Sequence, residues 1–211
     1  MKDNRKLTEK EQKRIERLKV IEEELKKEGY EKTDLTVSIL KANILALVTA
    51  APFVIFFFVL FILRGSNKWM GFESITVDII LLIVFIISIP IHELIHGITF
   101  SLFSKNGWKD IDFGVVWSSL TPYCTCATPV SKKGYYLSIL MPCIILGIIP
   151  SIIAVITGYY SILLYGLIMI LAAGGDLLIA WLIFKNKTKN ECIYLDHPTD
   201  CGVLKFEKRS E

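Results

Sequence analysis

The stretch SIPIHELIHGITF, Ser88 to Phe100, places two histidines and a glutamate in one of the most apolar parts of the chain. His92 and His96 are four apart, so on an α-helix they project from one face and both imidazoles can reach a single ion. Glu93 sits about 100° round such a helix. From there it can take a proton from a water that the ion activates, without being a ligand itself. The H-E-x-x-H pattern of zinc hydrolases works this way: two neutral nitrogens bind, and the carboxylate is general base and later proton donor. Between Ile79 and Phe103, Glu93 is the only Asp, Glu, Lys or Arg. An unpaired carboxylate in an apolar span is costly, which favours a functional reading over a structural one.

Two nitrogens need a third protein ligand, with one position left open. Two residues could supply it. Asp176, in LAAGGDLLIAWL, is the only charged residue of its apolar run, and His197, in LDHPTD, is the only histidine outside the motif. Depth favours Asp176. Counting back from the ends of the two apolar runs near Phe103 and Phe184, the histidines lie roughly 10–17 Å inside and Asp176 about 12 Å inside. Charge favours it too, because Zn²⁺ with Asp176 and ionised Glu93 is neutral, the easier state in a low dielectric. Gly174 and Gly175 allow either a close helix approach or a break just before the aspartate.

The elements that must hold these residues are read from segregated charge. The chain has 211 residues, 53% of them hydrophobic, yet residues 1–42 hold 12 of its 24 Lys and Arg. Four spans are expected, at about Asn43–Leu63, Thr76–Phe103, Gly134–Thr157 and Ser161–Phe184, each long enough to cross a bilayer. Pro52, Pro90, Pro142 and Pro150 are tolerable within such helices. The segments 1–42, 104–133 and 185–211 carry 22 basic residues and the opposite loops only Arg64 and Lys68. The positive-inside rule therefore puts both termini in the cytoplasm of a multi-pass cell-membrane protein. The net charge of +3 follows from that topology and implies no nucleic acid.

The expected fold is an all-α integral membrane protein: four transmembrane helices, a small cytoplasmic-side β-hairpin and a charged N-terminal helix. Residues 1–42 form the charged arm, with a helix over residues 8–28 opened by a capping box, Thr8 as N-cap and Glu11 reaching back. Its Ile15, Leu18, Ile21 and Leu25 make a narrow apolar stripe. Residues 43–63 are the first span, 76–184 the core, and 185–211 a cytoplasmic tail. Within the core, alternation around Phe113, Val115 and Trp117, a turn at SSLTP and the run YCTCATPV predict a hairpin over 112–130. An edge strand of that hairpin could capture an unwound substrate by strand addition. The five cysteines, odd in number and without a framework spacing, read as thiols. The Cys124–Cys126 pair alone is a weak metal signal.

HELIH in one span and a Gly-Asp in the last resemble the site-2 protease type of intramembrane metalloprotease, although the Asn-Pro before and the Gly after the aspartate are missing. HELIHG, TPYCTCATPVSKKGYYLSILMP, GGDLL and DHPTDCGV together resemble more closely a bacterial membrane family of putative zincin peptidases, over roughly residues 76–205. The resemblance implies hydrolysis of a peptide bond in a membrane protein or peptide, with His92, His96 and Asp176 on zinc and Glu93 as acid and base. The alternative is a membrane protein that binds zinc without catalysis. A transporter would call for further charges aligned along a path, and the spans carry none beyond Asp78 near one end.

Overall fold

A computed structural model describes residues 8–65, 75–116, 121–188 and 190–209. Residues 118–120 of the expected turn SSLTP, with Trp117 before it, and most of the Arg64–Lys68 loop lie outside the described residues. Helix α1 (Glu9–Lys27) starts as expected. The Thr8 hydroxyl accepts from Glu11 N–H, and the Glu11 carboxylate accepts from Thr8 N–H at 2.8 Å, so two donors that a helix start leaves open are satisfied reciprocally.

Among the described residues, three helical stretches are long and apolar enough to cross a membrane, or four if a bent pair is one span. They are α2 (Ile39–Leu63), α3 (Ile75–Ser101) and the continuous stretch Lys132–Thr157. That stretch comprises α4 (Lys132–Pro142), a π segment (Cys143–Ile148) and α5 (Ile149–Thr157). The bent pair is α6 (Tyr160–Ala172) and α7 (Gly174–Lys185), turned by 51° at Ala173. The protein itself covers little of the apolar surface of α2 and α3, so that surface needs lipid. The bundle closes on small residues. A Cβ on Gly147 would sit 2.7 Å from Ile170, and one on Gly166 would sit 2.4 Å from the Ser151 hydroxyl, so the two helical stretches touch backbone to backbone. At the far end, the Arg64 guanidinium donates to the Ile156 carbonyl at 2.7 Å, covering a carbonyl that the end of α5 leaves open.

The other end of the bundle departs from expectation. The fold is mostly helical rather than all-α, because the arm and the tail build a sheet. Strands β1 (Tyr30–Val37), β4 (Val130–Ser131), β5 (Cys192–Asp196) and β6 (Cys201–Lys208) form an antiparallel sheet in the order β1-β6-β5-β4. Tyr30 pairs with Lys208 and Val37 with Cys201. The stripe on α1 explains the assembly: Leu18, Ile21 and Leu25 pack against Leu195, Leu204 and Phe206, and burying a side chain of that size stabilises by about 1.5–3 kcal/mol. Gly202 is required where β6 crosses β1. Its φ is +144°, and a Cβ there would lie 2.6 Å from the Leu35 carbonyl oxygen.

The expected hairpin forms separately, as β2 (Ile111–Val116) paired with β3 (Thr121–Cys126). The predicted end at Val130 belongs to β4 instead, because the chain leaves the hairpin after Ala127 and joins the larger sheet. Asp110 fixes the approach from α3. Burial opposes its ionisation, but hydrogen bonds from Asn106 and Thr128 outweigh that and hold it below the usual carboxylate range.

Candidate metal centre

His92, His96 and Asp176 meet inside the bundle, offering one ligand atom each within 4.8 Å of one another. His92 Nε2 is 3.2 Å from His96 Nε2, 3.1 Å from Asp176 Oδ2, and His96 Nε2 is 3.4 Å from Asp176 Oδ1. Donor atoms bound tetrahedrally at roughly 2.0–2.1 Å are separated by about 3.3 Å, so the triangle already has the size of one face of a zinc site. The two imidazoles use the two different carboxylate oxygens, which the ordinary carboxylate can offer without moving. The three side chains are 12%, 7% and 19% exposed, a largely desolvated setting.

The orientation of His96 follows from a proline. His96 Nδ1 lies 2.8 Å from the Ser138 carbonyl oxygen, which can only accept, so Nδ1 carries the hydrogen and Nε2 presents its lone pair to the triangle. In an α-helix the Ser138 carbonyl would be taken by the N–H four residues on. That residue is Pro142, which has none. The freed carbonyl instead receives His96 and, at 3.4 Å, the Thr99 hydroxyl. Sequence reading treats Pro142 as a tolerable kink and gives Ser138 no role. The i, i+4 spacing of the two is visible in the sequence, whereas their partner on α3 is not.

Asp176 is presented by the bend at Ala173. The break makes it a first-turn residue of α7, where the helix N-terminus favours a negative charge. Both options read from the Gly-Gly pair are realised. The chain bends immediately before it, and Gly174 lies so close to α2 that a Cβ would be 2.8 Å from the Ala46 carbonyl oxygen.

With His96 oriented in this way, the triangle brings together a lone pair, a carboxylate and a second imidazole nitrogen. Acceptors face one another, an arrangement that needs a shared proton or a cation between them. The donor set, two imidazoles and a carboxylate, is the His₂-carboxylate type used by zinc. The residues present fit such an ion.

Glu93 lies beside the triangle with its carboxylate facing the backbone N–H of Cys124 on β3. The hairpin is laid over α3 at Gly97, where a Cβ would be 2.4 Å from the Phe113 ring. One edge of β3 pairs with β2, and along the other the Cys126 N–H donates to Asp196 at 3.0 Å. Asp196 also accepts from the Tyr135 hydroxyl. Neither Asp196 nor Tyr135 is singled out by sequence reading, because each is an ordinary residue until the tail folds back. A cavity of about 190 Å³ opens next to the triangle, lined by His92, Glu93 and residues of α3, α6 and β3.

His197 is not brought to the cluster. It closes the β5–β6 turn, where its Nδ1 accepts from Asp200 N–H at 2.8 Å and Thr199 N–H at 3.3 Å. All five cysteines are unpaired. Burial pushes the Cys124 thiol up and the Cys126 thiol up to about 11. Among the described residues, His92, His96 and Asp176 are the group of His, Cys, Asp or Glu that could hold a metal.

No curated protein and no solved structure matches the chain. Residues 85–190, half of its length, match the family described as "Putative zincin peptidase", and the chain belongs to that family.

Proposed function

From that membership we propose that the chain is a zinc-dependent peptidase embedded in the membrane, with His92, His96 and Asp176 as ligands and Glu93 as acid and base. The observation that carries the proposal is the triangle of ligand atoms, 3.1–3.4 Å on a side, with Glu93 next to it. Zinc held there would supply Lewis-acid activation of water and of the peptide carbonyl. Glu93 takes the water's proton and returns it to the leaving nitrogen. Ser138 keeps the His96 hydrogen on Nδ1, so that Nε2 stays a ligand.

A transmembrane substrate has its carbonyls locked in helical hydrogen bonds and must unwind before attack. The strand edge suited to hold it is that of β3 ahead of Cys126, beside Glu93 and short of the Cys126 N–H that Asp196 takes. The basic-residue split of 22 to 2 supports both termini, and the opening of the site, on the cytoplasmic side of the cell membrane. A cysteine introduced at Ser66 should then label with an impermeant thiol reagent in intact cells and one in the tail should not; the opposite pattern inverts the topology.

The test of the chemistry is Glu93→Gln, purified in detergent beside the wild type. Turnover of a casein substrate should collapse while zinc stays near one per chain, whereas His92→Ala and His96→Ala should lose the metal. Normal turnover in the Gln variant ends the mechanism. A wild type that holds zinc and cleaves nothing would be a membrane zinc-binding protein without catalysis.

A further inference from the structure

The cavity beside the triangle has two kinds of wall. Phe85, Ile89 and His92 follow one another at i, i+4 and i+7 on α3, and Met169 and Ala172 form the facing stripe on α6. Thr121 and Pro122, at the start of β3, close the side nearest the hairpin. One turn before Met169 on the same stripe, the Tyr165 hydroxyl lies 2.7 Å from that of Ser88, and this pair ties α3 to α6. The space is apolar on its flanks and bordered by Glu93 and His92. At about 190 Å³ it exceeds the roughly 150 Å³ of an apolar cavity that accepts benzene.

We propose that this cavity is the subsite for a large apolar side chain of the substrate residue next to the scissile bond. The inference rests on the peptidase reading and specifies its substrate class: segments with Phe, Leu or a residue of similar size beside the cut. A chain lying along the β3 edge presents alternate side chains to opposite faces, and the residue whose carbonyl reaches the triangle has this cavity as its nearest apolar volume. The size limit is set by Ala172 on one flank and Ile89 on the other. Ala172 lies exposed on α6 and Ile89 is 39% exposed on α3, so both can be enlarged without overpacking the core.

The experiment measures binding and does not depend on turnover. Zinc-loaded protein in detergent is titrated calorimetrically with acyl-dipeptide hydroxamates that differ only in one side chain, Phe, Leu, Ala or Asp. The Phe or Leu probe should bind roughly 10-fold or more tighter than the Ala probe, the scale on which apolar pockets discriminate by size, and the Asp probe should be weakest. Ala172→Leu and Ile89→Phe, each checked for zinc content, should both weaken the Phe probe about tenfold and leave the Ala probe within about twofold. Equal affinities for all four probes, or unchanged selectivity in both filled variants, overturns the subsite and leaves the peptidase reading standing. Failure of every hydroxamate to bind the zinc-loaded protein overturns both.

Discussion

Asp176 and Asp196 are recessed carboxylates in two regions of one molecule, and they are satisfied in opposite ways. Asp196, in the sheet that caps the bundle, accepts from a hydroxyl and an amide, Tyr135 and Cys126. Those groups hold their hydrogens at any ordinary pH, so the contact is closed and structural. Asp176, inside the bundle, faces two imidazole nitrogens, groups whose lone pairs can take a metal ion. Burial alone does not mark a functional carboxylate. What distinguishes the two is whether the partners can change state.

Removing Asp176 should give the largest effect. Asp176→Asn keeps the shape but takes away the charge that balances the ion, and zinc affinity should fall by more than about 100-fold, beyond the loss usual for an outer-shell partner. His197→Ala should leave zinc content near that of the wild type, because its ring is engaged by Thr199 and Asp200 amides in the β5–β6 turn. Both variants are measured by metal analysis after side-by-side purification. Loss of zinc from the His197 variant with retention in the Asp176 variant would invert the contrast.

Pro142→Ala should come next. The substitution supplies an N–H that competes with His96 for the Ser138 carbonyl, so the hold on the His96 tautomer weakens. Zinc affinity should drop about 10-fold, the lower end for an outer-shell partner, with the helix retained. Competitive chelation measures the affinity, and nitrogen NMR of the His96 ring reports where its hydrogen sits. An unchanged ring signal and affinity would show that the carbonyl stays with His96 regardless of residue 142.

In the cap, Asp196→Asn should cost stability rather than metal. The amide NH₂ replaces one acceptor oxygen and leaves either Tyr135 or Cys126 without its acceptor, worth about 1 kcal/mol or somewhat more. A pH signature accompanies it. Burial raises the Asp196 carboxyl above the usual range, against the bonds from Tyr135 and Cys126. Across the window from the ordinary carboxylate value up to the raised one, the folded state therefore binds more protons than the unfolded state. Stability from this group is greatest below the window and falls as pH climbs through it. Urea unfolding in detergent across pH should show that decline in the wild type and not in Asp196→Asn. Equal slopes would mean that Asp196 does not titrate differently on folding.

The bundle was legible in the sequence because its signals are short in range. The spacing of His92, Glu93 and His96, the capping box of Thr8 and Glu11, and the apolar runs each fall within a few turns of helix. Asp176 could be matched to the histidines by counting rise from the ends of two spans, since helices make depth proportional to sequence. The cap had no such ruler. YEKTDLTV alternates poorly and carries charge, so β1 read as part of a solvated arm. Its partner is β6, and Tyr30 meets Lys208 only when the two ends of the chain come together. The bend at Ala173 lies between these cases. Two glycines announced a break or a close approach, and only the fold shows that both occur.

The smallest effect should come where the cap touches the hairpin from outside. The Arg14 guanidinium lies 4.8 Å from the centre of the Tyr123 ring, and Arg17 pairs with Asp112 at 3.3 Å with both side chains well exposed. Contacts of this kind are worth up to about 1 kcal/mol and weaken with salt. Arg14→Ala should therefore loosen α1 from β3 slightly, seen as faster amide exchange in residues 121–126. Zinc content should not move, because the triangle is held by Ser138 and by the approach of Gly174 to α2, neither of which involves α1. Salt near 1 M should speed exchange in the wild type in the same direction as the substitution. Should Arg14→Ala release zinc, the hairpin and the metal centre would be one cooperative unit, and the division between a closed cap and an exchangeable centre would not hold.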